Sequence, residues 1–240
     1  MDRKDISWPT TQIDLIIKLA ALSKPLVVVV LGDMPGQNGG SAVMNVISGA
    51  ASVAGRLSIT KYPANYTALP MLDMNLRSNS SSPGRTYRWY DKAVRPIGFG
   101  LHYTTFTAKF TDVLLTHNIH DMLENCTNQY PDTCAAPALS VAVSNTGDRT
   151  SDFVALAFIQ GEAGPKPYPH KTLISYAKLR GITGGTTKTA QLGLTLGNLA
   201  RVDESGNTVL YPGEYTLMLD EPTQAELKLT LTGSEVVLDK

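Results

Sequence analysis

Apolar positions change their period along the chain. Between residues 10 and 22, Ile13, Ile16, Ile17 and Ala20 recur at helical spacing, with Pro9 ahead of the start and Pro25 past the end, which predicts an amphipathic helix. The run PLVVVVL (25–31) is continuous and β-branched, the pattern of a parallel strand buried on both faces. Helix followed by buried strand implies an α/β layer. A glycine-rich turn, GDMPGQNGG (32–40), then feeds a short helix over 41–48, whose Val43, Met44 and Ile47 share one face before Gly49 stops it.

From 55 to about 137 the apolar runs are short and broken by Pro, Gly and a serine-rich patch at 78–82, which reads as extended linker and loop. Within this stretch Phe106, Ala108 and Phe110 alternate, predicting a strand over 105–115. Beyond residue 138, strand-like runs at 139–144, 153–160, 171–180, 189–196, 215–219 and 225–231 are separated by turn chemistry such as Asn145-Thr146-Gly147-Asp148 and Tyr211-Pro212-Gly213-Glu214. Seven strands at this spacing suit an immunoglobulin-like or fibronectin type III-like β-sandwich. The predicted organisation is α/β plus all-β. Residues 1–60 would form part of an α/β sandwich, 61–104 an extended linker, and 105–240 the β-sandwich.

Composition narrows the partners. Twenty-one Lys and Arg balance 21 Asp and Glu, and no dense basic run occurs, so the electrostatic footprint of a nucleic-acid or anionic-membrane binder is missing and a neutral ligand fits better. The longest apolar run falls far short of the roughly 20 residues that cross a bilayer. The opening MDRKDISWP lacks the features of a secretory signal, which taken literally reads as cytoplasmic. Three glycosylation acceptor sites, at Asn65, Asn79 and Asn125, lean instead toward a secreted parent. Cys126 and Cys134 lie eight apart in a Pro- and Asn-bearing loop, where a short disulfide and two unpaired thiols are both open.

Few residues suggest chemistry of their own. The glycine-rich turn has neither the Lys-Ser/Thr ending of a phosphate loop nor dinucleotide-binding glycine spacing, so its glycines are expected to be structural. Asp33, at a strand end beside that turn, could touch a ligand or simply cap the turn. His117 and His120 are three apart, but without a third ligand they are expected to be exposed loop histidines, and no metal is implied. Arg85, Tyr87, Arg88, Trp89 and Tyr90 form an aromatic and cationic cluster that could stack on a sugar or pack between domains.

An ordered series of motifs resembles the second half of a family 3 glycoside hydrolase: KPLVV (24–28), PGQNGG (35–40), AGRL (54–57), PMLDM (70–74), PGRTYRWY (83–90) and GFGLHYTTF (98–106). Ahead of them, Asp2-Arg3 with Ile6-Ser7-Trp8-Pro9 and Gln12 resembles the start of the family's sandwich domain. The tail, LARVDESGN (199–207) through LTGSEVVL (231–238), resembles the β-xylosidase branch.

The resemblance implies a secreted, retaining enzyme that removes xylose from the non-reducing ends of β-1,4-xylo-oligosaccharides, without a cofactor. Retention requires two carboxyl groups about 5–5.5 Å apart. The family's nucleophile Asp and acid/base Glu would both precede Met1. So would the barrel, which alone takes about 250 residues and would be the packing partner of this chain. The chain by itself is therefore expected to be inactive. Candidate sugar contacts are Asp33, Arg85 and Trp89. The resemblance leaves open a β-glucosidase or α-L-arabinofuranosidase of the same family, and a non-catalytic wall-binding module is the other class. One departure lies inside the match: the family carries a crossover and a second buried strand between its K-P-x-V-V strand and its P-G-Q turn, and only Gly32, Asp33 and Met34 separate Leu31 from Pro35 here. Three residues cannot hold a parallel crossover, so an exposed apolar edge is expected in residues 1–60.

Overall fold

A computed structural model describes residues 8–30, 37–70 and 72–238. Its contacts divide the chain into two compact units, Met1–Ser48 and Gly49–Lys240.

The first unit holds two helices, α1 (Thr10–Ala20) and α2 (Gly39–Ile47), close to the predicted bounds. Pro9 starts α1 without a side-chain cap. The strand expected at 25–31 does not form: residues 25–30 have no regular structure, and Val27 and Val30 are 61% and 63% exposed. A parallel strand needs hydrogen-bonding neighbours at its edges and cover on both faces. No ladder strand precedes residue 106 among the described residues, so the run has neither, and the expected α/β layer is not assembled. The stripe on α1 is likewise bare, with Ile13 and Ile17 exposed. Leu31, Asp33 and the start of the PGQNGG turn lie outside the described residues.

The second unit is built mainly of sheet. Its strands are β1 (Phe106–Phe110), β2 (Leu115–Asn118), β3 (Ala135–Asn145), β4 (Ser151–Gly161), β5 (Thr172–Ile182), β6 (Thr187–Thr195), β7 (Arg201–Val202), β8 (Thr208–Leu210), β9 (Gly213–Leu219), β10 (Ala225–Thr232) and β11 (Val236–Val237). Strands β1-β3-β6 form one antiparallel sheet, β2-β10-β9-β4-β5 a second, and the short β11-β8-β7 a third. Alternation along the strands sends Leu139, Val141 and Val143 of β3, Tyr215, Leu217 and Leu219 of β9, and Leu227, Leu229 and Leu231 of β10 into one shared core. The largest side chain at its centre is Phe153 of β4; Phe158 of the same strand is equally unexposed but lies outside that cluster.

The single strand expected over 105–115 breaks in two. After β1 pairs with β3, the chain passes to the other sheet, where β2 runs parallel to the outer edge of β10. Helix α4 (Ile119–Glu124) follows, its N-terminus capped by Asn118 Oδ1 accepting from His120 N at 2.9 Å. The histidines are therefore not in a loop. His117 is half-buried in β2, and His120 sits on α4 with Nε2 2.8 Å from Ser234 Oγ. A disulfide joins Cys126 to Cys134 across Cα atoms 5.6 Å apart.

Residues 49–104 carry little regular structure but are fastened to these sheets. Isolated bridges pair Arg56 with Gly100 and Lys61 with Arg95. Arg56 is the main rivet: Nη2 donates to Val154 O and to Asp220 Oδ2, both at 3.0 Å, and lies 2.8 Å from Oδ1, while its guanidinium sits over the Phe153 ring. Asp220 accepts a further bond from Gln224 at 2.7 Å. Burial raises the Asp220 carboxyl above its usual range, against the lowering pull of Arg56. A buried pair of this kind costs desolvation, and its main effect is to fix where residues 55–57 must sit.

Candidate functional site

The PGRTYRWY segment makes a tight approach of the chain to itself. Gly84 has φ +96°, and a β-carbon there would stand 2.2 Å from Trp89 O, so only glycine fits. Thr86, at φ +60°, is held in a left-handed conformation that β-branched residues avoid, its N–H donating to Tyr62 Oη at 2.7 Å. It opens the single turn α3 (Thr86–Trp89). Tyr66 Oη donates to Gly84 O at 2.7 Å, and the Tyr62, Tyr66 and Tyr90 rings pack together beneath the turn.

The motif's side chains then part company. Tyr87 faces the sheets: its hydroxyl accepts from Leu173 N at 3.1 Å and its ring meets Phe158 edge-on. Arg85 turns inward and donates to Asp73 O at 2.6 Å. Trp89 and Arg88 instead line a cleft of about 400 Å³ together with Arg77, Thr172, Asn198 and Arg201. Of the three expected sugar contacts, Trp89 alone is in this cleft. Arg85 is a structural brace, and Asp33 lies outside the described residues.

The cleft is cationic. The Arg77 guanidinium rests over the Trp89 ring, 5.4 Å from its centroid. Arg201 reaches in from β7 and is held by backbone carbonyls, donating to Ala163 O, to Pro165 O at 2.8 Å and to Pro167 O at 3.1 Å, with its Cζ over the Tyr168 ring, 5.2 Å from the centroid. Desolvation, first, and the charge of Arg77 lower the Arg201 pKa. Asn198, on the turn α5 (Leu196–Leu199), is positioned by a capping box with Thr195, its Oδ1 accepting from Thr195 N at 2.8 Å. No lining residue is acidic. Among the described residues neither Arg77 nor Arg88 has a carboxylate within ion-pairing distance. The cleft can hold an anion, but the paired carboxylates of glycoside hydrolysis are not in it.

Sequence reasoning named Arg88 and Trp89 but passed over Arg77, Asn198 and Arg201. Arg201 was legible only as part of the LARVDESGN motif, 112 positions from Trp89 and joined to it by the fold. The other strongly placed acids are structural. Asp220 is tied to Arg56, and Glu221 pairs with Lys171, which also caps the Phe158 ring. Among the described residues no group of three or more His, Cys, Asp or Glu could hold a metal.

Comparison with known proteins covers the whole chain. It is 43% identical to a probable exo-1,4-β-xylosidase of Aspergillus fumigatus, matching over 99% of its own length and 34% of the relative's. It is 40% identical to one of Aspergillus terreus, over 100% and 34%. The chain thus spans about a third of the length of the curated relatives it matches. The A. fumigatus alignment runs 265 positions against a chain of 240, so at least 25 positions lie opposite gaps in this chain. Among solved structures, a family 3 exo-β-xylosidase in complex with a xylobiose aziridine activity-based probe superposes with a TM-score of 0.90 at 38% identity, covering 100% of this chain and 35% of that one. A family 3 β-glucosidase of Bifidobacterium adolescentis, at 23% identity, shares the fold with a TM-score of 0.71 over 96% of this chain and 36% of its own. No protein-family model matches the chain.

Proposed function

Because this chain corresponds to the C-terminal portion of a family 3 glycoside hydrolase of the β-xylosidase type, we propose that it serves a retaining, exo-acting enzyme that cuts xylose from the non-reducing ends of β-1,4-xylo-oligosaccharides. The observation that carries this reading is 43% identity to an exo-1,4-β-xylosidase across essentially all of the chain. The chain would supply a scaffold that packs against a barrel bearing the nucleophile, and it would not hydrolyse xylosides alone. The cationic cleft supports a binding role over a catalytic one.

The same reading takes the second unit as a fibronectin type III-like sandwich of a secreted glycoprotein. Its support is a three-stranded sheet facing a four-stranded one, β10-β9-β4-β5, with β2 added at the edge. Tyr215, near the start of β9, donates its hydroxyl to Tyr211 O four residues back at 2.7 Å, which has the form of the tyrosine corner of such sandwiches. Asn65, Asn79 and Asn125 are all exposed, as glycosylation would require.

The test is a chimera in which residues 49–240 replace the matching segment of the A. fumigatus relative. It should release nitrophenol from an aryl β-xyloside within about tenfold of its parent's kcat/KM, a loss of no more than about 1.4 kcal/mol in transition-state stabilisation, and the 240-residue chain should release none. A folded chimera without activity, or turnover by the chain alone, overturns the reading.

A further inference from the structure

The cleft beside Trp89 gathers positive charge without a counterion. Three guanidiniums line one concavity, no lining side chain is acidic, and Arg77 and Arg88 have no carboxylate partner among the described residues. Arg77 and Arg88 are exposed and Arg201 is half-buried; like charges gathered in one concavity repel, and an arriving anion relieves that repulsion. Two of the three are already oriented: Arg201 by three carbonyls and Arg77 by the Trp89 ring, so little side-chain freedom is lost on binding. The planar guanidinium fork matches a carboxylate in a bidentate arrangement. The remaining lining is not that of a bare anion hole, because Thr172, Asn198 and the indole edge offer the hydroxyl, amide and apolar contacts that a sugar ring takes.

We propose that this cleft binds a uronic acid unit carried as a branch on a xylo-oligosaccharide, its carboxylate between Arg77, Arg88 and Arg201 and its ring against Trp89. The choice of a xylose backbone rests on the proposed function above; the anionic sugar rests on the cleft. The whole chain's balance of 21 cationic and 21 acidic residues conceals this site, since it is the spatial grouping that sets the local potential. A branch site would let the enzyme hold acidic chains without placing the charge near the reacting bond.

Calorimetric titration of the 240-residue chain tests this with four probes: a xylo-oligosaccharide with one glucuronic acid branch, the unbranched oligosaccharide, free glucuronate, and sodium sulfate. The branched probe should bind at least about tenfold tighter than the others, and more weakly as salt rises. Arg88→Ala and Arg77→Ala should each weaken it about tenfold, with the thermal midpoint unchanged in Arg88→Ala, whose side chain has no ion-pair partner among the described residues. Equal binding of the unbranched probe overturns the role of charge. Equal binding of sulfate reduces the cleft to a general anion site, and no binding of the branched probe removes it altogether. The branched probe is titrated into the chimera as well. If the chain binds it and the active chimera does not, a carboxylate of the larger protein fills the cleft and the sugar proposal fails while the enzyme reading stands. Binding by a folded but inactive chimera sinks the enzyme reading and leaves the sugar site standing.

Discussion

Tyr215 shows how one side chain can carry both packing and a pH dependence. Its ring is 4% exposed, and its hydroxyl closes the turn from Tyr211 to β9. Burial pushes its pKa up to about 12, outweighing the lowering by Arg201. A phenol whose folded pKa lies above its unfolded value near 10 favours the folded state in full below pH 10, and that contribution is lost as pH rises from about 10 through 12. The wild-type chain should therefore lose on the order of 2 kcal/mol of stability across that window through this residue. Tyr215→Phe should be less stable at pH 7 by about 1 kcal/mol, the worth of one hydrogen bond, and show a correspondingly flatter alkaline decline in urea unfolding. An unchanged alkaline slope would remove Tyr215 from that role. Burial decides the sign here. The turn chemistry before this phenol and the alternation that turns it inward were readable in the sequence, whereas its seat against Gly161 of β4 was not.

At the scale of elements, the alternating runs were the most legible feature. The six runs from residue 139 onward all became strands, because a period of two with one apolar face has few other ways to bury itself. What escaped was where a run changes sheets. The stretch 105–115 has continuous strand propensity, yet β1 and β2 belong to different sheets, a break fixed by which edges were free to accept them. The GFGLHYTTF motif likewise read as family signature, and its physical task appears only in the fold. Gly98, at φ +82°, sits where a β-carbon would stand 2.6 Å from Leu156 Cδ1 and 3.1 Å from Glu221 Cβ. It brings residues 96–100 flush onto β4 and the β9-β10 turn, and its carbonyl accepts from Arg56 at 3.2 Å. Gly98→Ala should cost about 2 kcal/mol or more, from left-handed strain plus the clash, read as a lower urea midpoint with unchanged m-value. A cost below about 0.5 kcal/mol would show that this segment is not held as described.

At the scale of the molecule, the two units differ in how much they bury. The core cluster draws on residues 108–238, and every described residue of the first unit except Gly39 is at least partly exposed. Its apolar helix face and the valines at 27–30, none of them buried, gain little from burial in this chain. A protein of residues 49–240 should accordingly unfold with a thermal midpoint within about 2 °C of the whole chain, since the first unit adds little surface to the cooperative transition. A drop beyond about 5 °C by calorimetry would show that residues 1–48 stabilise the rest. The strand expected at 25–31 fails for the same reason, and the bare valines are the exposed apolar edge expected of residues 1–60: a buried-strand pattern states what a segment needs, and the partners that would meet the need are not among its neighbours.

The order of motifs, the helix at 10–20, the strand alternation after residue 138 and the likeness to family 3 glycoside hydrolases were determined by sequence alone, because each depends on residues close together in the chain. The partition of strands between sheets, the burial of Arg56 with Asp220, and the meeting of Arg77, Arg88 and Arg201 around Trp89 were decided only in three dimensions. Electrostatic and packing energies depend on distance in space, and positions 77 and 201 acquire a common potential only once the sheets have brought them together.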